Sequence, residues 1–212
     1  MTDPIIITGT DTGIGKTVFA AALAGALGAT YWKPVQAGLT EETDSECVGR
    51  LSEPPLRILP EAYRLKLAAS PHLAAACEGI EIDLRCLMLP PEPRPLVVEM
   101  AGGLMVPLTR TTLNLDLLTV WDAPVVLCAR TTLGTINHSL LSLAALRQAG
   151  CRVLGVAFIG DANPDSEAII AEHGCVRHLG RLPQLPSLTP TSLQAAFLAG
   201  FHLDDFTNAG PP

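Results

Sequence analysis

Three short segments of this chain carry residue types suited to handling phosphate. The first is Gly9-Thr10-Asp11-Thr12-Gly13-Ile14-Gly15-Lys16-Thr17. The usual phosphate loop is glycine, four residues, then Gly-Lys-Ser/Thr. Here five residues separate Gly9 from Gly15, so a strict pattern search misses the segment. Its context is nevertheless that of a phosphate loop, between a branched apolar run and a stretch rich in Ala and Leu. Gly13 and Gly15 let the backbone wrap closely, so that successive N–H groups point at phosphate oxygens. The helix start that follows adds the positive end of its dipole. Lys16 is placed to reach the β- and γ-phosphates of ATP, and the Thr17 hydroxyl to bind Mg²⁺.

The second segment, Lys33-Pro34-Val35-Gln36-Ala37-Gly38, puts a lysine where a strand leaves the sheet. An ammonium there can stabilise charge on a transferring phosphoryl group. The third, Val97-Val98-Glu99-Met100-Ala101-Gly102-Gly103, ends a buried strand with a carboxylate. That fits the second metal position of phosphate-loop enzymes, usually held by an aspartate. Mg²⁺ prefers few protein oxygens with several waters and substrate phosphates, so Thr17, Asp44 and Glu99 suffice as ligands. Lysine usage points the same way. The chain has three lysines among its 14 cations, and two of them, Lys16 and Lys33, fall in these segments.

These residues must be positioned by regular elements, and the chain alternates strand and helix. Ile5–Thr8 reads as a buried strand. Thr17–Leu27 reads as a helix stopped at Gly28. The next expectations are a strand over Ala29–Lys33, a short helix over Asp44–Leu51 capped by Thr43 or Asp44, and a helix from Ser70-Pro71 to Cys77. Pro90, Pro91, Pro93 and Pro95 form a stiff connection to a strand over Leu96–Glu99. Further strands are expected over Pro124–Ala129, Val153–Ile159 and Val176–Leu179. Helices are expected over Asn114–Val120, Thr135–Gln148, Ser166–Glu172 and Thr191–Leu198. Strands that are apolar throughout and separated by helices predict an α/β fold, with a predominantly parallel sheet covered on both faces. No repeat or linker interrupts it, so residues 1–212 are expected to form one domain, frayed from about residue 205 to the Gly210-Pro211-Pro212 end. Ligands bind such sheets beyond the carboxyl ends of the strands, where the three segments lie.

Composition excludes several classes. A hydrophobic content of 48% with 17% charged residues is not that of a disordered chain. A net charge of −7 argues against nucleic acid or an anionic membrane as partner. The apolar stretch Val18–Gly28 is too short to span a bilayer, and the acidic segment before it is unlike a signal peptide. Six cysteines at 47, 77, 86, 128, 151 and 175 form no Cys-x-x-Cys pair, which predicts reduced thiols and a cytoplasmic enzyme. The histidines show no ligand spacing.

Taken in order, Gly9 to Thr17, Lys33-Pro34-Val35 with Gly38, Asp44, Ser70-Pro71-His72, Glu99 with Ala101-Gly102-Gly103, and Gly134 to His138 resemble the dethiobiotin synthetase family from about residue 5 to 190. The longer phosphate loop is a mark of that family. The resemblance implies carboxylation of 7,8-diaminononanoate by CO₂, ATP-driven activation of the carbamate, and ring closure to dethiobiotin, ADP and phosphate. It implies catalytic roles for Thr12, Lys16 and Lys33 and Mg²⁺ ligation by Thr17, Asp44 and Glu99. ATP contacts are implied for Gly13 to Val18 and for Met100, Ala101 and Gly102. On the base side they are implied for Gly160 and Asp161 and for the Pro183-Gln184-Leu185 turn. It further implies a homodimer whose site lies at the interface. The substrate contacts would be Ala37 and the helix start Gly134, Thr135, Ile136 and Asn137, the latter from the partner subunit. The chain departs from the family pattern in three places. Ala37 stands where serine is frequent, Gly13 where glutamate is frequent, and Met100 where glycine is common. The asparagine that reads adenine has no obvious counterpart in Ile159-Gly160-Asp161. A related amidoligase would need a glutaminase domain with a nucleophilic cysteine, for which the chain has no room. A ParA-like ATPase would usually carry a further lysine early in the loop, and Gly9 to Ile14 has none.

Overall fold

The computed structural model describes residues 3–92 and 95–207. Pro93 of the proline-rich connection and the Gly210-Pro211-Pro212 end lie outside the described residues. Nine strands are present among the described residues: β1 (Ile5–Gly9), β2 (Thr30–Trp32), β3 (Val35–Ala37), β4 (Ile58–Leu59), β5 (Tyr63–Leu65), β6 (Leu96–Gly103), β7 (Val125–Arg130), β8 (Val153–Ile159) and β9 (His178–Leu182). The α-helices are α1 (Lys16–Leu27), α2 (Asp44–Arg50), α3 (Pro71–Cys77), α4 (Asn114–Trp121), α5 (Thr135–Gln148), α6 (Pro164–His173), α7 (Pro190–Gly200) and α8 (Asp204–Thr207).

Seven strands form one sheet in the order β4-β2-β6-β1-β7-β8-β9, with every pairing parallel. Alternate residues feed opposite faces, as the two-residue period of a strand requires. Ile5, Ile7 and Val97 pack into one core with α1 and α7. Ile6, Leu96 and Val98 pack into another with α3 and α4. The first core holds a phenylalanine cluster, in which Phe197 stacks on Phe201 at 4.8 Å and Phe201 lies 5.3 Å from Phe19. Burial on both faces is why these strands read as continuous apolar runs.

Chain order reverses around β1, which is flanked by β6 on one side and β7 on the other. A crevice opens at such a switch point, beyond the strand ends. The register sets Ile7 opposite Glu99 and Gly9 opposite Gly103. Trp32 lies opposite Val98, so Lys33 leaves its strand beside Glu99.

Several expectations are corrected. The small parallel sheet of β3 and β5 and the two-residue β4 were not expected. They are too short to carry a period and include Gln36 and Arg64. The last strand is β9 at His178–Leu182 rather than Val176–Leu179, because only Leu179, Gly180 and Leu182 turn inward along this polar edge. α6 and α7 begin earlier than expected, each with proline at its first turn behind a side-chain cap, Asn163 and Thr189. The tail does not fray at 205 among the described residues: Asp204–Thr207 is helical and Phe206 is buried in the phenylalanine cluster. No helix among the described residues is long and apolar enough to cross a membrane.

Candidate active site

The phosphate-loop segment folds as a wrap between β1 and α1. Gly13 and Gly15 have φ of 67° and 92°, the left-handed region that favours glycine. A Cβ on Gly15 would also sit 2.8 Å from Ile159 Cγ2. The Ile14 side chain tucks under the loop, and its Cδ1 lies 2.6 Å from where a Cβ on Gly9 would be. Lys16 is buried and donates to the Asp11 carbonyl at 2.8 Å. Burial lowers its pKa, and the Glu99 carboxylate opposes that shift.

Three oxygens converge beside it. Thr17 Oγ1 lies 2.9 Å from both Asp44 Oδ1 and Glu99 Oε1. A hydroxyl has one hydrogen to give, so it cannot satisfy both carboxylates at once. Lys33 closes the group, with Nζ 2.6 Å from Asp44 Oδ2 and 3.1 Å from Glu99 Oε1. Burial pulls the Lys33 pKa down, but the Glu99 and Asp44 carboxylates outweigh it and raise the net value, so the ammonium persists. Burial pushes Asp44 up, and Lys33 outweighs that, leaving its carboxyl below the usual range. Asp44 is free for this because Thr43, not Asp44, caps α2, through a reciprocal box with Glu46. Two carboxylates and a hydroxyl make a hard-oxygen donor set of the kind that suits Mg²⁺.

A cavity of about 400 Å³ opens over Lys33 and Asp44, lined also by Thr12, Ala37 and Gly102. Ala68 to Pro71 form its far wall, where Ser70 Oγ lies 3.0 Å from His72 Nδ1. Ala101 borders this cavity, and the Met100 carbonyl accepts from Lys33 at 3.4 Å. Gly160 and Asp161 follow β8, and Pro183-Gln184-Leu185 follow β9, on the other side of the loop from Lys33 in the strand order. Gly160 N–H donates to the Leu182 carbonyl at 3.0 Å, joining the two turns. Val18 is half-buried on α1. The start of α5 is not brought into the Lys33 cavity. Gly134 caps it with φ of 94°, the Thr135 hydroxyl donates to the Arg130 carbonyl, and Ile136 and Asn137 continue the helix.

Residues 3–192 match the family model described as an AAA domain. The ATP-dependent dethiobiotin synthetase BioD of Bradyrhizobium sp. (strain BTAi1) is 65% identical over 97% of this chain and 99% of its own. That of Rhodopseudomonas palustris (strain HaA2) is 62% identical over 97% of each chain. The Brucella ovis protein of the same name is 58% identical over 97% of this chain and 98% of its own. The chain belongs to the dethiobiotin synthetase family.

Among solved structures, MinD of Pyrococcus horikoshii, complexed with Mg-ADP, superposes with a TM-score of 0.55 at 15% identity, over 99% of this chain and 90% of that one. A ParA family ATPase of Chlorobium tepidum gives 0.51 at 11% identity, over 99% and 93%. These likenesses show the fold alone, a parallel sheet covered by helices.

Within this member of the dethiobiotin synthetase family, sequence reasoning missed four polar residues. The buried Tyr31 hydroxyl donates to Glu99 Oε2 at 2.8 Å, and burial with the adjacent carboxylate raises its pKa well above normal. A tyrosine inside an apolar strand needs such a partner, which was the available signal. Gln36 Oε1 accepts the Asp44 N–H at 3.2 Å. Asn114 Nδ2 donates to the carbonyls of Ala101 and Gly103 at 2.7 and 2.8 Å, holding the turn after Glu99. Arg130 meets Asp11 at the loop tip, 3.0 Å away. The last three lie far from their partners in sequence or show no motif.

Proposed function

We propose that this protein is an ATP-dependent dethiobiotin synthetase that joins CO₂ to 7,8-diaminononanoate and closes the ureido ring. The observation that carries the reading is the meeting of Lys33 with the carboxylates of Asp44 and Glu99, which also share the Thr17 hydroxyl, beside one cavity and next to the phosphate loop that holds Lys16. In this reading one amine of the substrate takes up CO₂ and loses a proton, giving a carbamate. A carbamate oxygen attacks the γ-phosphorus of ATP and ADP departs, leaving a carbamic-phosphoric anhydride. The second amine then attacks the carbamoyl carbon, phosphate leaves, and the ring is closed.

The chain's part is positioning and charge. Gly13 to Val18 wrap the phosphates with backbone N–H groups, and Lys16 moves from the Asp11 carbonyl to the phosphate oxygens. Lys33 and Thr12 stabilise the carbamate and the transferring phosphoryl group. Thr17, Asp44 and Glu99 hold Mg²⁺, which when bound neutralises phosphate charge. The donor set supports that assignment, since its one hydroxyl proton serves two carboxylates. Met100 to Gly102 flank the phosphates, and Gly160, Asp161 and Pro183 to Leu185 flank the base. The enzyme works as a homodimer in the cytoplasm. The α5 start, with Gly134 to Asn137, receives the substrate carboxylate from the partner subunit, because it does not reach the cavity of its own chain. Ala37 lines the substrate side without a hydroxyl.

Incubation with 7,8-diaminononanoate, bicarbonate, ATP and Mg²⁺ tests the proposal. A ureido product detected by mass spectrometry, formed in step with ADP, is expected. ATP hydrolysis that ignores the diamine, with no ureido product, would overturn it in favour of a nucleotide switch.

A further inference from the structure

We propose that Arg130 is a positioning residue for nucleotide binding. It ties the tip of the phosphate loop to β7 and balances the charge of Asp11. The inference rests on the nucleotide reading above and concerns residues that reading does not use.

The loop is anchored at both ends. Thr10 N–H donates to the Cys128 carbonyl at 3.0 Å, and Phe19 N–H to the Gly15 carbonyl at 3.0 Å. Between those anchors the tip, Asp11 to Gly13, is exposed. Asp11 Oδ1 accepts the Thr12 N–H at 2.7 Å, which bends the tip locally. Among the described residues, the hydrogen bonds reaching Asp11 to Gly13 from outside the Gly9–Thr17 segment all come from Arg130. Its Nη2 donates to Asp11 Oδ2 at 3.0 Å and, more weakly, to the Thr12 carbonyl at 3.5 Å. Lys16 is the other holder of the tip, through the Asp11 carbonyl. Once Lys16 turns to phosphate, Arg130 is the holder that remains.

Charge makes the case stronger. Asp11 carries a carboxylate within a loop that receives a polyanion, and like charges at close range oppose binding. Arg130 offsets that carboxylate. Their side chains are 40% and 53% exposed, so the pair adds little to folding stability. Its effect belongs to the liganded loop.

The test is a double-mutant cycle with R130Q, D11N and the double variant. ATP affinity is read by equilibrium binding with Mg²⁺, KM and kcat by ureido formation, and Tm by thermal unfolding. R130Q is expected to weaken ATP binding about tenfold, the order of one uncompensated charge near phosphate, with Tm nearly unchanged and kcat at saturating ATP affected less than KM. D11N in the R130Q background is expected to recover most of the lost affinity. Unaltered ATP affinity in R130Q would overturn the proposal while leaving the nucleotide reading intact. So would a double variant as weak as R130Q, which would mean that the guanidinium touches the nucleotide itself. No ATP binding by the unmutated protein would overturn the nucleotide reading and the proposal with it.

Discussion

Lys33 is 4% exposed and Glu99 1% exposed, and each is sustained by the other. A buried ion pair adds little net stability, but removing one partner strands the other in a poor solvent. Lys33→Met is therefore expected to abolish ureido formation and to cost stability by about 3 kcal/mol, less if water enters. Mg²⁺ is expected to restore part of that stability by replacing the lost charge beside Glu99 and Asp44. Thermal unfolding with and without Mg²⁺, alongside turnover, checks both; near-normal turnover would sink the assigned role. Tyr31 gives a finer probe. Tyr31→Phe removes only the hydroxyl that meets Glu99 Oε2. It should cost about 1–2 kcal/mol, since a buried carboxylate oxygen loses a donor. It should also shift the Mg²⁺ dependence of turnover modestly, whereas Glu99→Gln should weaken that dependence strongly. An unchanged Mg²⁺ titration in Glu99→Gln would remove Glu99 from the metal site.

At the level of elements, the parts legible in the sequence were those with a long pattern. α1, α5 and β8 matched their expected bounds closely because each is a run of seven or more residues, and β1 because its unbroken apolar run leads into the glycine-rich loop. Lys16, Thr17, Lys33 and Asp44 were also legible, because each stands at a strand end or helix start, whereas Glu99 was legible as the one carboxylate of an apolar run although β6 continues past it to Gly103 instead of ending there. What escaped was held by contacts remote in sequence. β3 and β5 are three residues each and stabilise one another across a gap that no local pattern spans. Asn114 read as an ordinary helix start, although its amide pins a turn more than ten residues earlier. That turn brings β6 against the phosphate loop. Gly102 has φ of 74°, and a Cβ there would lie 2.9 Å from Val106 Cγ2 and 3.2 Å from Thr12 Oγ1. Gly102→Ala should thus push two catalytic elements apart. The expected result is a drop in kcat/KM of tenfold or more, for a stability loss of about 1–2 kcal/mol. Kinetics and thermal unfolding of the same preparation separate the two; wild-type kinetics would show that the close approach is not needed.

For the whole molecule, the question is why one chain builds a phosphate site yet leaves the proposed carboxylate site elsewhere. All the residues proposed to hold ATP phosphate and Mg²⁺ come from a single chain. The start of α5 does not enter the Lys33 cavity, and its surroundings are apolar and open. Leu133 is fully exposed, Leu141 and Met105 are each 63% exposed, and a cavity of about 530 Å³ runs from Thr10 to Thr12 past Met105 to Leu141. Met105 and Leu141, exposed apolar side chains along one cavity, form the kind of surface that marks a contact. The proposed homodimer puts a two-fold contact on this face; such a contact is self-complementary, and each chain would then offer its α5 start to the other's cavity. Two consequences can be separated. Leu141→Glu puts a charge into the contact and should shift sedimentation from dimer to monomer. The monomer should still bind ATP, because its phosphate site is complete within one chain, but should lose ureido formation and affinity for the diamine. An unmutated protein that sediments as a monomer at full turnover would overturn the shared site. A Leu141→Glu dimer with normal kinetics would place the interface on another face.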